Sequence, residues 1–408
     1  MEPATILILA DDSADWRIAG LRQLERVVLA VNEFAESRKL ESKIDVIVFW
    51  SPEVSVERRW LPQDSRLDRC EINFASEPNR FGDHAPAPVL STRLLVHRRA
   101  LANFISIAPV VQRETLIVDL TQVWQKLARD FSNVYRESSG TGWRYVAEPR
   151  EIAECERWIL RDTGKRQDGF VARFLNRPIS RAISRYLLKS SITPGGWTSS
   201  IFSLPIAAFL FLQRGDYHGF VIGAAIFQVY SILDGCDGEI ARAKYLESDS
   251  GRRFDTLCDV FGSLLFAIGL GLGLCQLHRS GPHNWLYLGE GILCALMIAA
   301  NEWLLRNPKI ETDFAPNALT NTLYLRHRAM IQRSGLFFLG EKLVWWLFQL
   351  TKRDVAILLF LILAIAGRPP WILHLWTAVT AASLLLALVA RLRARADRFR
   401  SLSRGSLS

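Results

Sequence analysis

Residues 234–260, DGCDGEIARAKYLESDSGRRFDTLCDV, carry acidic side chains at helical spacing. In the first half of this stretch, Asp234 and Asp237 are followed by Gly238 and Ala241. These positions recur at i, i+3, i+4 and i+7, so they share one face of a helix. The small residues on that face let a ligand approach the backbone closely.

A second acidic face follows after a short loop. Gly251, Asp255 and Asp259 recur at i, i+4 and i+8, which places them on one face of the next helix. Two antiparallel helices joined by the loop 243–250 would bring four carboxylates opposite one another. Such a group repels itself unless one carboxyl is protonated or a cation lies among them.

A divalent metal is the cation that these carboxylates favour. Oxygen-only ligands suit Mg²⁺ or Mn²⁺. Two such ions can hold a diphosphate, neutralise its charge and polarise the phosphorus under attack. Arg242, on the first of the two helices, can donate to phosphate oxygens in a forked geometry. The stretch therefore predicts a two-metal site that binds a diphosphate.

The elements that must position this site divide the chain into two unlike parts. Residues 1–190 mix charged and apolar residues, whereas residues 195–392 carry long apolar runs with few charges inside them. A membrane span needs about 20 mostly apolar residues. Six runs are candidates: 196–213, 217–236, 255–277, 284–305, 353–367 and 370–392. We predict a helical membrane bundle of six spans.

Positive charge is distributed unevenly among the loops of this bundle. Arg and Lys cluster before the first run, in the second-to-third and fourth-to-fifth loops, and after the sixth run, whereas the alternate loops hold only Arg214, Arg279 and Arg368. Positively charged loops stay cytoplasmic. This pattern predicts a multi-pass protein with both termini and the acidic site on the cytoplasmic side. The net charge of +9 therefore indicates a membrane surface, not nucleic acid.

Residues 1–146 are predicted to form a small cytosolic α/β domain. TILILA, IDVIVFW, RLLVHR and TLIVDL indicate buried strands. They alternate with helical spacing over 18–38 and 121–135, which favours a parallel sheet. Residues 147–192 are predicted to be a basic, amphipathic connector near the headgroups, and residues 193–400 form the membrane bundle. The six Cys residues show no C-x-x-C spacing, which indicates buried thiols.

The acidic stretch resembles the signature of the CDP-alcohol phosphatidyltransferase family, D-x2-D-G-x2-A-R-x8-G-x3-D-x3-D. All eight fixed positions match, with the gaps in register. The resemblance implies a six-helix membrane fold in a bacterial or archaeal-type cell membrane and a site with two metal ions. It also implies attack by an acceptor hydroxyl on the β-phosphorus of a CDP-activated donor, with CMP as the leaving group.

The same resemblance implies a role for each matching residue. Asp234, Asp237 and Asp255 would be metal ligands, and Asp259 would be both a ligand and the general base. The residues that would shape the pocket for the CDP donor are Gly238, Ala241, Arg242 and Gly251. TPGGWT, residues 193–198, resembles the T-P-N-x-x-T entry to the first span. Pro194 and Thr198 match that pattern, whereas Gly195 replaces its Asn.

The front half resembles sugar nucleotidyltransferases, which are sometimes fused ahead of this membrane domain. The resemblance covers the helix at 18–38 and the linker GKRQDGFVARFLNRPISR. A nucleotide loop needs glycines whose backbone N–H groups hold phosphate. At that place the chain has LADDSADWRIAGL, with no Gly before Gly20. We therefore predict a degenerate domain without catalysis; the alternative is an unrelated docking domain.

The leading hypothesis is a transferase of phospholipid biosynthesis. It would move a phosphatidyl or phospho-alcohol group from CDP-diacylglycerol to a small alcohol acceptor that the sequence does not identify. A second hypothesis uses a soluble CDP-polyol donor, and a third, from another class, is a divalent-cation carrier. The glycines of Gly269-x3-Gly273 predict close helix packing, within the chain or in a homodimer.

Overall fold

The computed structural model describes residues 3–40, 42–75, 87–98, 100–111, 120–135, 142–162, 169–306, 352–385 and 388. Its chain forms two compact units. The first unit comprises Met1–Thr163, Arg185–Ser191 and Arg242–Leu246. The second comprises Gly164–Ser184, Ile192–Ala241 and Glu247–Ser408.

The first unit is an α/β domain built on a largely parallel sheet. Its strands are β1 (Thr5–Ala10), β2 (Arg17–Ile18), β3 (Leu21–Arg22), β4 (Ile44–Trp50), β5 (Cys70–Phe74), β6 (Ala87–Ser91), β7 (Leu94–Val96), β8 (Val110–Val111) and β9 (Trp143–Tyr145). The main sheet has the order β5-β4-β1-β6-β8. β1 runs parallel to β4 and β6, and β4 runs parallel to β5. Only β8, at the edge, is antiparallel among these described strands.

Helices cover this sheet and bury its apolar side chains. They are α1 (Gln23–Arg38), α2 (Leu101–Ile105), α3 (Leu120–Tyr135) and α4 (Ile152–Asp162). Ile6, Leu7 and Ile8 of β1 have no exposed surface, because β1 is the central strand and is covered on both faces. The predicted α/β class, the strands TILILA and IDVIVFW, and the helix at 121–135 are confirmed.

Two details of the predicted domain are wrong. The helix expected over 18–38 begins only at Gln23, because residues 17–22 form the β2–β3 hairpin. Ala19 and Gly20, at its tip, have φ of 50° and 82°, which a helix cannot accommodate. RLLVHR supplies β7, but that strand pairs with β9 in a separate two-stranded sheet. The predicted strand TLIVDL lies outside the described residues, except for its last residue.

The cysteines of the first unit are buried thiols, as predicted. All six Cys side chains of the protein are free, and five are buried. Burial raises the pKa of Cys70 to about 12 and the pKa of Cys155 to about 11. Because the thiolate is the reactive form, both thiols are expected to be inert near neutral pH.

The second unit is helical in the residues described. A turn of π-helix at Ala172–Asn176 leads into α5 (Arg177–Leu187). The apolar region contains α6 (Pro194–Ile201), α7 (Ser203–Leu212), α8 (Tyr217–Ala243), α9 (Asp249–Leu277), α10 (Trp285–Arg306), α11 (Arg353–Ile365) and α12 (369–385). Among the described residues, Pro194–Leu212, Tyr217–Ala243 and Asp249–Leu277 are long and apolar enough to cross a membrane. The predicted runs 284–305 and 353–367 are helical but are not among these three, and the end of the run 370–392 lies outside the described residues, so six spans are not confirmed.

Aromatic side chains form the centre of this unit. The ring centroids of Phe227 and Phe266 lie 4.4 Å apart, and those of Phe266 and Phe360 lie 5.8 Å apart. Phe227 is on α8, Phe266 on α9 and Phe360 on α11, so the cluster ties the two acid-bearing helices to a later helix of the chain. α9 also packs closely against α7 and α10.

Two glycines on α9 allow α7 to approach, which supports the packing interpretation of Gly269-x3-Gly273. A Cβ atom on Gly269 would lie 2.9 Å from the Phe209 ring. A Cβ atom on Gly273 would lie 2.0 Å from the carbonyl oxygen of Leu212, which is backbone and cannot move aside easily. The two helix backbones therefore meet at a distance that only glycine permits.

Gly273→Ala is expected to destabilise the protein by about 1–3 kcal/mol, because the added methyl group must push α7 away from α9. The measurement is the apparent Tm of purified protein in detergent. Gly289→Ala, on α10, is the matched control, since a Cβ atom there meets nothing within 4 Å. Equal Tm values for the two variants would contradict the close approach.

Candidate active site

Three of the four predicted aspartates meet where α8 and α9 face each other. Asp234 and Asp237 lie on α8 and Asp255 on α9. One carboxylate oxygen from each lies within 4.8 Å of the others. α9 begins directly after Ser248, because the Ser248 hydroxyl accepts the Gly251 N–H at 3.0 Å and caps the helix. The helical spacing read from the sequence therefore places these three side chains as expected.

The environment of these carboxylates is suited to a cation. Thr198, on α6, is buried and donates its hydroxyl to Asp237 Oδ2 at 2.7 Å. Asp234 Oδ1 is buried and has no hydrogen-bond partner among the described residues. An unpartnered buried carboxylate oxygen costs free energy unless a cation binds it. The all-oxygen donor set matches the preference of Mg²⁺ and Mn²⁺, so the residues present fit such an ion.

The fourth aspartate has protein partners. Asp259 Oδ1 accepts the hydroxyl of Tyr230 at 3.1 Å, and Oδ2 forms an ion pair with Arg353 at the start of α11. Arg353 also lies over the Tyr230 ring, with its guanidinium carbon 5.9 Å from the centroid. Asp259 is thus held in one orientation beside the other three carboxylates. The cation that pairs with Asp259 is therefore Arg353, which is not a position of the signature.

Tyr230 and Arg353 are functional candidates that the sequence pattern did not reveal. Tyr230 precedes Asp234 by one helical turn on α8, so its position on the acidic face was available from spacing. Arg353 was counted only as a loop charge, because its contact with α9 spans a long stretch of sequence. Nothing local to Arg353 indicates that partner.

The other residues predicted to shape the donor pocket lie on α6, α8 and α9. Ala241 is buried on α8, and Pro194 occupies the first turn of α6 behind the N-cap Thr193. Gly251 lies in the first turn of α9. Gly238 follows Asp237 on α8, and Arg242, the next-to-last residue of α8, groups with the first unit. Their roles toward CDP stay predictions.

A buried ion pair lies on the opposite face of α8. Glu239 has no exposed surface and accepts hydrogen bonds from Ser180 at 2.8 Å and Ser184 at 2.7 Å. Arg177 pairs with the same carboxylate at 3.1 Å. The basic connector was expected to lie at the membrane surface, but at these positions it binds α8. Glu239 itself was missed, because it stands between motif positions with no pattern of its own.

Glu239→Gln is expected to lower stability by roughly 3 kcal/mol, since it removes the negative charge that pairs with the buried Arg177 guanidinium. The apparent Tm in detergent measures this loss. Ser231→Ala is the control from the same interface, because among the described residues Ser231 accepts a long hydrogen bond of 3.5 Å from Asn176. A Tm for Glu239→Gln that matches the control would show that the pair contributes little.

In the first unit, charged side chains occupy the carboxyl edge of the main sheet, where a sheet of this type binds a nucleotide. Open parallel sheets bind ligands at the carboxyl ends of the strands where the chain order reverses, which here is beside β1. Asp11, directly after β1, pairs with Arg93 at 2.6 Å and accepts the Ser13 N–H at 2.8 Å. Asp12–Asp15 form a short acidic 3-10 helix. Asp12 and Asp15 of this helix pair with Arg58 and Arg22. That the domain is degenerate and lacks catalysis stays a prediction.

Comparison with known proteins agrees with this geometry. The sequence profile of the family described as CDP-alcohol phosphatidyltransferase matches residues 197–395. The C-terminal part of the chain thus matches the CDP-alcohol phosphatidyltransferase family, and the matched residues include all four aspartates.

Similar proteins carry the name "Bifunctional IPC transferase and DIPP synthase". The one from Rubrobacter xylanophilus is 35% identical over 155 residues, which is 38% of this chain and 34% of that protein. The one from Thermococcus kodakarensis is 39% identical over 129 residues, 31% of this chain and 29% of that protein. The Aquifex aeolicus protein is 32% identical over 139 residues, which is 34% of this chain and 31% of that protein. The match spans about a third of each relative.

Proposed function

We propose that the second unit is a metal-dependent phosphotransferase. It transfers a phospho-alcohol group from a CDP-activated donor to the hydroxyl of a small alcohol acceptor and releases CMP. The observation that carries this proposal is the convergence of Asp234, Asp237 and Asp255 within 4.8 Å of one another, with Asp259 on the same face of α9. The family match over residues 197–395 supports it.

The four aspartates share one task in this reaction, and Asp259 has a second. Asp234, Asp237, Asp255 and Asp259 would hold two divalent cations, Mg²⁺ or Mn²⁺, which when bound neutralise the diphosphate and polarise its β-phosphorus. Asp259 also takes the proton of the acceptor hydroxyl as that oxygen bonds to the β-phosphorus. The bond between the β-phosphorus and the bridging oxygen breaks, and the electron pair leaves with CMP. Tyr230 and Arg353 keep the Asp259 carboxylate in place.

CDP-diacylglycerol is the first donor proposed, which would place the enzyme in phospholipid biosynthesis. The three apolar helices support a membrane-embedded site that a lipid can reach. A soluble CDP-polyol is the second candidate. It is supported by the similarity to relatives named "Bifunctional IPC transferase and DIPP synthase", a name that combines a transferase with a synthase and does not mention a phosphatidyltransferase.

The proposal is tested with the purified full-length protein, Mg²⁺ and a panel of alcohols and alcohol phosphates. CDP-diacylglycerol and a CDP-polyol are supplied separately and then in competition, and CMP release is measured. Release that requires both donor and acceptor is the expected result, and the better competitor identifies the donor. A folded preparation that releases no CMP with any pair would refute the proposal.

A divalent-cation carrier remains the alternative from another class. A carrier needs its carboxylates near the middle of the membrane. Here Asp237 lies near the end of α8 and Asp255 near the start of α9, which favours access from the water phase. Metal uptake into vesicles without CMP release would favour the carrier.

The remaining architecture is proposed from charge and length. Six membrane spans, with both termini and the acidic site on the cytoplasmic side, fit the distribution of Arg and Lys among the loops. A homodimer is a further expectation from the sequence. The first unit is proposed to have no nucleotidyltransferase activity, since Asp11 and the acidic 3-10 helix stand where phosphate would bind.

A further inference from the structure

The C-terminal end of α8 is bound by two arginines of the first unit. Arg26 donates from Nη1 to the carbonyl oxygen of Ala243 at 2.9 Å. Arg66 donates from Nη1 to the carbonyl oxygens of Lys244 and Tyr245, both at 2.8 Å. The last carbonyls of a helix have no partner within the helix, and cations there are favourable to the helix dipole. These guanidinium groups therefore cap α8.

Both guanidinium groups are fixed by contacts of their own. Arg26 is almost completely buried and also donates from Nη2 to the Ile18 carbonyl of β2 at 2.6 Å. Arg66 donates from Nε to both carboxylate oxygens of Asp64, at 2.9 and 3.0 Å. Each arginine thus presents a preorganised donor to the helix end, so little side-chain entropy is lost in the contact.

The turn after α8 is part of the hydrophobic core of the first unit. Tyr245 is buried in that core, and its ring lies 5.9 Å from the Arg26 guanidinium carbon and 5.2 Å from that of Arg98. Burial raises the pKa of its hydroxyl. Its φ of 56° turns the chain sharply, which ends α8 at this place. Lys244 donates to the Ser190 carbonyl at 2.8 Å.

The β2–β3 hairpin is shaped to receive these residues. A Cβ atom on Gly20 would lie 2.5 Å from the Leu188 carbonyl oxygen and 2.8 Å from Cε of Lys244. Gly20 also has a φ of 82°, which favours glycine. The only glycine of the segment LADDSADWRIAGL, where nucleotidyltransferases have a phosphate loop, therefore makes room for the turn after α8.

We propose that Arg26 and Arg66 are positioning residues for the metal-binding face of α8, an inference that rests on the function proposed above. α8 is one continuous helix from Tyr217 to Ala243, so holding its end fixes the rotation of Asp234 and Asp237. A slip of one residue would turn both carboxylates by about 100° away from Asp255.

The test compares full-length variants with and without the donors. Arg66→Ala removes two hydrogen bonds at a half-buried position, and Arg26→Met removes a donor while keeping most of the volume. Arg66→Lys keeps one donor and is expected to restore part of the effect. Arg58→Ala is the control, because Arg58 pairs with Asp12 on the surface of the same unit and is 61% exposed.

Three measurements separate positioning from simple loss of fold. Hydrogen exchange of the amides at 238–247 is expected to rise in Arg66→Ala and Arg26→Met. Mn²⁺ binding, followed by the electron paramagnetic resonance of free Mn²⁺, is expected to weaken about 10-fold. In the same two variants, the Mn²⁺ concentration for half-maximal CMP release is expected to rise by the same factor, while the KM for the acceptor stays unchanged. The control Arg58→Ala is expected to keep the wild-type Tm.

Each outcome decides a different claim. Unchanged hydrogen exchange in both variants would overturn the capping of α8. Faster exchange with wild-type Mn²⁺ affinity would overturn the positioning role. A wild-type protein that neither binds Mn²⁺ nor releases CMP would overturn the proposed phosphotransferase and, with it, the positioning of metal ligands. Hydrogen exchange would still decide whether the two arginines hold the end of α8.

Discussion

Asp259→Asn is expected to lower the rate of CMP release by about 10²–10⁴-fold while the protein stays folded. The amide keeps the size of the carboxylate and can still accept the Tyr230 hydroxyl, so the packing between α8 and α9 is preserved. It cannot take the proton of the acceptor hydroxyl. The measurement is the rate of CMP release with the best donor and acceptor at saturating Mg²⁺, together with the apparent Tm.

Asp249→Asn is the matched control for that experiment. Asp249 lies in the first turn of the same helix, its side chain is 77% exposed and it pairs with Arg252 within the helix. We expect near wild-type rates for it. A residual rate in Asp259→Asn above half that of the wild type would show that another group accepts the proton, and would remove Asp259 from the chemical step.

Asp234→Asn is expected to abolish the stabilisation that Mg²⁺ or Mn²⁺ gives to the folded protein. In the wild type, an ion at 100 times its Kd should stabilise the fold by about 2.7 kcal/mol. Without metal, three carboxylates within 4.8 Å repel one another, so the neutral amide should raise the Tm of the metal-free variant. CMP release should fall by at least about 10²-fold, because a metal ligand is lost.

The measurement is a titration of Tm with Mg²⁺ and with Mn²⁺ after chelation of bound metal. Asp249→Asn should retain the wild-type response, since its carboxylate is exposed and lies about 9 Å along the helix from Asp255. If Asp234→Asn gains as much Tm from the ions as the wild type does, the three carboxylates do not form the ion site.

The acidic cluster could be predicted from the sequence because each half of it lies on a single helix. The spacing of Asp234 and Asp237 on α8, and of Asp255 and Asp259 on α9, follows directly from helical periodicity. The short turn between them leaves only an antiparallel arrangement. Local spacing thus determines which side chains face one another, and three of the four carboxylates meet as expected.

Contacts between distant parts of the chain could not be predicted in this way. The pairing of Arg353 with Asp259 and of Arg177 with Glu239 depends on how helices pack, which periodicity does not encode. The hairpin at 17–22 was taken for the start of a helix because its apolar residues happen to fit a 3.6-residue repeat. The positive φ angles of Ala19 and Gly20 exclude a helix there. An alanine rarely adopts positive φ, so the sequence gives no sign of this conformation at Ala19.

The π-helical turn at Ala172–Asn176 makes the length of the connector matter more than its composition. The wider turn accommodates an extra residue, which sets the phase in which Arg177, Ser180 and Ser184 point toward Glu239. Removing one residue there would rotate all three away together by about 100°. Natural or engineered versions of this segment should therefore tolerate many exchanges of side chain, yet admit almost no insertion or deletion.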